Sequence, residues 1–251
     1  MKQHANNLLL LTGWGSTCKV WDLIIPVLAQ RYQIKCINPP WVKESEITAS
    51  LDDIENYTEE LALSLSELPT KIVAWSMGGL IAIHIAKKFP QLIKQIILIS
   101  SVPQFVSTNE FRYGINKTWF DKFILDFRNN SRSTFGKFIA LQAKGDEYQM
   151  STLRFLKQNC VFDNFDIDEC LRGLELLQQQ QLNHEFQVLN CKRMFIHGDK
   201  DTVLPIASAQ FVAQQTNCEL KIIENAGHAP QISHPDLTAR LLLDTLNDAA
   251  L

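Results

Sequence analysis

Residues 74–79, Ala74-Trp75-Ser76-Met77-Gly78-Gly79, constrain this chain more than any other stretch. The apolar run Lys71-Ile72-Val73 ahead of them predicts a buried strand, and residues 80–88 behind them suit a helix. A serine between a strand end and a helix start sits on a turn so tight that its flanking positions must be small. Gly78 and Gly79 meet that need after the serine, and Ala74 meets it before, where glycine is the usual choice. Such a turn lifts the Ser76 hydroxyl out of the sheet. It also leaves the Met77 N–H at a helix N-terminus, where unpaired donors and the local field favour an anion.

Strand and helix signals alternate on both sides of this turn. Residues 8–11 predict a strand buried on both faces, ending in the glycine-punctuated turn Thr12-Gly13-Trp14-Gly15-Ser16. Residues 20–32 carry helical spacing with Pro26 suited to a first turn, and residues 33–37 predict a second strand stopped by Pro39-Pro40. Residues 51–68 form an acidic amphipathic pattern with Ile54, Tyr57, Leu61, Leu65 and Leu68 on one face. Strands are predicted over 95–99, 193–197 and 219–224, and helices over 206–216 and 235–247. Between 102 and 186 no strand pattern appears, and aromatic and basic residues recur at helical spacing. The expected architecture is α/β: a mostly parallel, doubly wound sheet built from residues 1–101 and 187–251, interrupted by a helical lid insertion at 102–186.

The chain has 251 residues, 46% of them hydrophobic, which is enough for one large core. A net charge of −3 gives no global attraction to nucleic acid or to an anionic membrane. The four leucines near the N-terminus are too few for a signal core or a membrane span, so a soluble cytoplasmic protein is expected. Cys18, Cys36, Cys160, Cys170, Cys191 and Cys218 show no C-x-x-C or zinc-like spacing and are read as reduced, partly buried thiols. No metal site is expected.

A serine hydroxyl needs a base to attack at neutral pH. His4 falls in a terminal tail, His84 on the helix after the serine, His184 in the insertion, and His234 just before Pro235. His197 ends a predicted strand, where it is suited to orienting a loop. His228 follows a strand in Asn225-Ala226-Gly227-His228-Ala229-Pro230, where small neighbours let a ring swing over the sheet edge, and it is the candidate base. The orienting acid should follow another strand. Gly198-Asp199-Lys200-Asp201 offers two, of which Asp199 suits the turn itself and Asp201 suits the histidine. Trp14, at the end of the first strand, presents a backbone N–H that can join Met77 in stabilising an oxyanion.

Five stretches carry a family likeness: Gly13-Trp14-Gly15, Trp75-Ser76-Met77-Gly78-Gly79, Lys137-Phe138-Ile139-Ala140-Leu141-Gln142, Gly173-Leu174-Glu175-Leu176-Leu177 and Ala226-Gly227-His228-Ala229-Pro230. Together they make the chain resemble the α/β-hydrolase family, and within it the BioH-type carboxylesterases that cleave the methyl ester of pimeloyl-acyl carrier protein. The order Ser, Asp, His is the hydrolase order. The resemblance implies a triad of Ser76, Asp201 and His228, an oxyanion hole at Trp14 and Met77, and an acyl site lined by lid aromatics such as Phe138. It implies a monomer with no cofactor whose partner is acyl carrier protein, docked on lid bases. Lys137 and Arg154 fall on matching positions, Arg132 lies one place from another, and Met150 stands where an arginine is expected. Thr12, Ala74 and Asn38-Pro39-Pro40-Trp41 depart from the family pattern, and the family's leading antiparallel hairpin is not evident. Other readings of the same site are a small-ester esterase, a carbon–carbon bond hydrolase, or a ligand-binding protein of this fold without turnover.

Overall fold

A computed structural model describes residues 7–65 and 70–246. His4, Leu68 and Asn247, read above as parts of a tail and two helices, lie outside the described residues. The strands are β1 (Asn7–Leu11), β2 (Gln33–Cys36), β3 (Thr70–Trp75), β4 (Ile93–Ile99), β5 (Lys192–Gly198) and β6 (Glu219–Ile223). The helices are α1 (Ile25–Leu28), α2 (Ile54–Leu63), α3 (Gly78–Lys88), α4 (Lys117–Asn129), α5 (Ser131–Ala143) and α6 (Gln149–Asn159). They continue with α7 (Ile167–Gln179), α8 (Asn183–Val188), α9 (Ile206–Thr216), α10 (Pro230–Ser233) and α11 (Pro235–Leu246).

All strand pairs are parallel, in the order β2-β1-β3-β4-β5-β6. The expected parallel α/β sheet is therefore present, and no antiparallel strand pair joins it among the described residues. The sheet's middle is dry on both faces. Leu8, Leu9 and Leu10 of β1, Ile72 and Val73 of β3 and Ile96 to Ile99 of β4 are buried, which is why these strands read as continuous apolar runs. The strand order reverses at the β1/β3 pair, and in such sheets ligands bind in the crevice outside the carboxyl ends of the strands at that point.

α3 is buried from Gly78 to Ala86, as a helix apolar on all sides must be. Asp53 caps α2 by accepting from Asn56 N–H, and Asp166 caps α7 by accepting from Asp168 and Glu169 N–H. The helical spacing over 20–32 divides at the proline into a 3-10 turn (Cys18–Trp21) and the short α1, with Pro26 in its first turn as expected. Pro26 lacks the N–H that a continuous helix would need at that position. After an irregular stretch over 100–116, five helices, α4 to α8, follow between β4 and β5, with a 3-10 turn (Phe162–Asn164) and isolated bridges but no strand among the described residues.

The cysteine expectation needs one correction. Cys18 and Cys36 are paired in a disulfide, with Cα atoms 5.9 Å apart. The pairing depends on β1 and β2 being neighbours, so the residues after β1 and at the end of β2 meet on one edge. The other four cysteines are free. Burial pushes the Cys160 thiol up to about 12, which leaves it an unreactive core residue.

Candidate active site

Because the strands are parallel, the residues following β1, β3, β5 and β6 all emerge at one edge. Ser76 follows β3 in the left-handed region at φ 53°, the conformation that projects its hydroxyl from the sheet. The small neighbours have a steric reason. A Cβ on Gly78 would lie 2.8 Å from the carbonyl oxygens of Leu11 and Thr12, and one on Gly79 would strike the Ser101 hydroxyl. Ser76 N–H donates to Ile99 O at 2.9 Å, and the Ser101 hydroxyl donates to Ser76 O at 2.6 Å, so β4 anchors the turn from below.

The structure brings Ser76, His228 and Asp201 together. Ser76 Oγ is 3.0 Å from His228 Nε2, and His228 Nδ1 is 2.8 Å from Asp201 Oδ2. The His228 and Asp201 side chains are fully buried. Asp201 Oδ1 accepts from the N–H groups of Val203 and Leu204, both at 2.9 Å. Burial alone would raise the Asp201 carboxyl pKa, but the His228 and His197 rings beside it hold it well below the usual carboxylate range. Asp199 stands outside this group: its Oδ2 accepts from the Lys200 ammonium at 2.8 Å, and organising the loop falls to the Asp201 side chain.

Two further residues support this group, of which His197 has the loop-orienting place its sequence position suggests and Trp75 carries no such signal. His197 donates from Nε2 to Leu204 O at 2.9 Å, as a loop-orienting residue would, and the same nitrogen is 3.2 Å from Asp201 Oδ2. Trp75, adjacent to the serine, donates its indole N–H to His228 O at 2.7 Å. The strand that carries Ser76 therefore also holds the histidine loop.

Trp14 and Met77 flank the serine and are buried. Among the described residues, neither backbone N–H donates to a protein acceptor, which leaves both free for an oxyanion. The Trp14 side chain is locked elsewhere: its indole N–H donates to Cys170 O at 2.7 Å, and its ring meets Phe127 at 5.2 Å and Phe138 at 5.0 Å. Gly173 allows the approach of α7, since a Cβ there would lie 2.9 Å from the indole. Phe138 and Phe123 also line a cavity of about 330 Å³ between α4 and α5, walled further by Trp119 and Leu141 and flanked by Lys122 and Lys137.

The three lid bases differ in their surroundings. Arg132 is ion-paired with Asp163 and lies over the Phe162 ring. Lys137 and Arg154 are exposed and, among the described residues, have no acidic partner. Lys144 just past α5 and Lys157 on α6 share that state, whereas Lys117, Lys122 and Arg128 are paired with Asp121, Asp126 and Glu175.

The arrangement can carry out nucleophilic acyl transfer: a hydroxyl, a base in contact with it, an acid orienting the base, and two unpaired N–H groups beside the hydroxyl. The chain matches the α/β-hydrolase fold over residues 6–235. It is 28% identical to the pimeloyl-[acyl-carrier protein] methyl ester esterase of Nitrosomonas europaea, with 92% of this chain and 91% of that protein covered. It is 30% identical to the protein of the same name from Aromatoleum aromaticum, covering 96% of this chain and 98% of that one. A bromoperoxidase from Bacillus anthracis superposes with a TM-score of 0.87 over 97% of this chain and 92% of that one, and at 16% identity the likeness concerns the fold alone. With a match spanning most of its length and a relative at 30% identity along nearly all of it, the chain belongs to the α/β-hydrolase fold family.

Proposed function

We propose that this chain is a serine carboxylesterase that hydrolyses the methyl ester of a pimeloyl chain carried on acyl carrier protein, a step of biotin biosynthesis. The observation that carries the reaction class is the contact of Ser76 Oγ with His228 Nε2, backed by Asp201. The substrate rests on relatives of that name, similar along more than 90% of both chains.

In this reading Ser76 Oγ attacks the ester carbonyl while His228 Nε2 takes its proton. The oxyanion accepts from the Met77 and Trp14 N–H groups, each worth about 3–4 kcal/mol in the transition state. Collapse breaks the bond to methoxide, which leaves as methanol with the proton from His228. Water then attacks the acyl-serine as His228 takes one of its protons. The second collapse returns that proton to Ser76 Oγ and releases the free carboxylate. Asp201 keeps the Nδ1 proton facing itself, so that Nε2 is the basic nitrogen throughout.

The partner part of the proposal places acyl carrier protein, a strongly acidic protein, on the face of α5 and α6 that presents Lys137 and Arg154. The unpaired state of these cations favours it, because docking need not first break an ion pair. The cavity beside Phe138 is apolar enough for an acyl chain or the arm that bears it, with Lys137 at its rim for an anionic group. The protein acts in the cytoplasm as a monomer. No helix among the described residues is long and apolar enough to cross a membrane.

The test is growth. A bacterial host lacking its own pimeloyl ester esterase should grow without biotin when it carries this gene, and should fail with Ser76→Ala. Well-expressed wild-type protein that leaves the host dependent on biotin would contradict the substrate assignment.

A further inference from the structure

The loop that carries His228 is held by the core, through Trp75 and the Lys200 N–H on Ala226 O, and equally by the insertion. His228 N–H donates to Gln142 O at 3.2 Å, and Glu147 N–H donates to Asn225 O at 2.8 Å. Gly227 N–H donates to Asp146 Oδ2 at 2.6 Å. One residue of the acid loop is tied to the same corner, with the Thr202 hydroxyl donating to Leu141 O at 3.1 Å. Of the groups that the insertion contributes to these four bonds, Asp146 alone supplies a side chain. Its other oxygen accepts from Tyr148 N–H at 2.7 Å, which fixes the carboxylate across the turn between α5 and α6.

Asp146 is a costly residue to place there. It is only 6% exposed, and among the described residues no cation pairs with it. A buried carboxylate without a cation persists where it satisfies N–H groups that would otherwise be orphaned. The fit is also steric. A Cβ on Gly227 would lie 3.2 Å from both Asp146 Cβ and Gln142 O, a tight contact that would press the histidine loop away from the corner by a few tenths of an ångström.

From this geometry we propose that Asp146 is a positioning residue for His228, so that the insertion forms part of the catalytic scaffold as well as covering the site. Asp146 touches no reacting atom. It acts by holding the Gly227 peptide, and with it the direction in which the next residue presents its imidazole to Ser76. The inference rests on His228 being the base of the proposed esterase.

The test uses the full chain and a short chromogenic ester, which needs no carrier protein. Active sites are counted by burst titration, so that kcat is expressed per competent site. In Asp146→Asn one end of the amide presents a donor where a carboxylate oxygen stood, so one of the two N–H groups loses its acceptor. The expected result is a fall of at least tenfold in kcat per site with KM changed less than threefold. Labelling of Ser76 by a phosphonate should slow in parallel. Gly227→Ala approaches the same contact from the other side, and the double variant should lose little more than the worse single one. A kcat per site within twofold of wild type in Asp146→Asn would overturn the proposal. So would a loss confined to the number of competent sites, or a double variant whose loss is the product of the two. An active Ser76→Ala enzyme would instead overturn the esterase reading on which the inference stands.

Discussion

Replacing Asp201 by asparagine probes the buried end of the site with almost no change of shape. The carboxylate now receives three N–H groups, His228 Nδ1 at 2.8 Å and the Val203 and Leu204 amides at 2.9 Å, with His197 Nε2 beside it at 3.2 Å. An asparagine has only one acceptor oxygen. If that oxygen keeps the Val203 and Leu204 bonds, its NH2 faces the histidines. His228 must then accept at Nδ1 and carry its proton on Nε2, pointing at Ser76, where it is no base. If the amide turns round, two buried backbone donors face an NH2, at about 1–3 kcal/mol for each unsatisfied group. The first arrangement is the less costly, so the fold should survive with the wrong tautomer in place. In chymotrypsin-type triads that error costs about ten-thousand-fold in kcat, or about 5 kcal/mol at about 1.4 kcal/mol per tenfold. The assay is steady-state hydrolysis of a chromogenic ester by Asp201→Asn and Asp199→Asn side by side, with melting curves of both. Among the described residues the Asp199 carboxylate meets only the Lys200 ammonium, so its variant should stay within threefold of wild type. An Asp201→Asn enzyme retaining more than a hundredth of wild-type kcat, or an Asp199→Asn enzyme more impaired than it, would refute this account of the orienting acid.

Three further outcomes follow from the surroundings of the site. Lys137→Glu with Arg154→Glu should raise KM for a carrier-bound ester about tenfold at low salt, leave a small free ester unchanged, and be mimicked by added salt. Adding Arg132→Glu should change little more, since Arg132 is already paired with Asp163; equal losses on both substrates would count against docking at this face. Burial lowers the pKa of His84, against the opposing hydrogen bond from Gln180. The unfolded chain therefore takes up a proton near pH 6.5 that the folded chain resists, so this stability is present above about pH 6.5 and is lost as pH falls toward the lowered folded value. Urea melts at pH 7.5 and 5.5 should show that loss in wild type and less of it in His84→Gln, and equal slopes would refute it. Finally, the Cys18–Cys36 bridge closes a loop with a sequence separation of 18, for which chain entropy predicts about 3 kcal/mol. The double change to serine should lower stability by that order in urea melts, and an unchanged midpoint would refute the contribution of the bridge.

What the sequence revealed was whatever local chemistry dictates. The turn around Ser76 is legible because Gly78 and Gly79 answer to backbone and side-chain atoms that any strand-to-helix turn brings close. The loops of Asp201 and His228 are legible because parallel strands deliver their following residues to one edge. Long-range pairings are silent by comparison. Cys18 meets Cys36 only once β1 and β2 are neighbours, and Arg132 meets Asp163 only once the helices of the insertion are folded. Trp75 reaches His228 O across 153 positions, and Asp146 reaches Gly227 across 81, so neither carries a spacing signal. In the sequence the motif at residues 137–142 is no more than a family likeness, and its physical content emerges only in three dimensions. Phe138 packs on Trp14, Leu141 O holds Thr202, and Gln142 O holds His228. In the stretch 20–32 the proline is the legible signal: Pro26 sits in the first turn of α1, which its missing N–H permits, and the apolar spacing ahead of it belongs to a separate 3-10 turn.

The central claim is that Ser76 removes a methyl ester from a carrier-bound acyl chain, and intact mass spectrometry of the carrier protein tests it most directly. Purified protein is mixed with acyl carrier protein bearing a pimeloyl methyl ester, and the carrier's mass is followed with time. The account predicts that wild type converts the carrier to the free acid, with a mass loss of one CH2 and the thioester intact, and that Ser76→Ala leaves it unchanged. A carrier that keeps its methyl group while the same preparation hydrolyses a short free ester would contradict the account, as would conversion by Ser76→Ala.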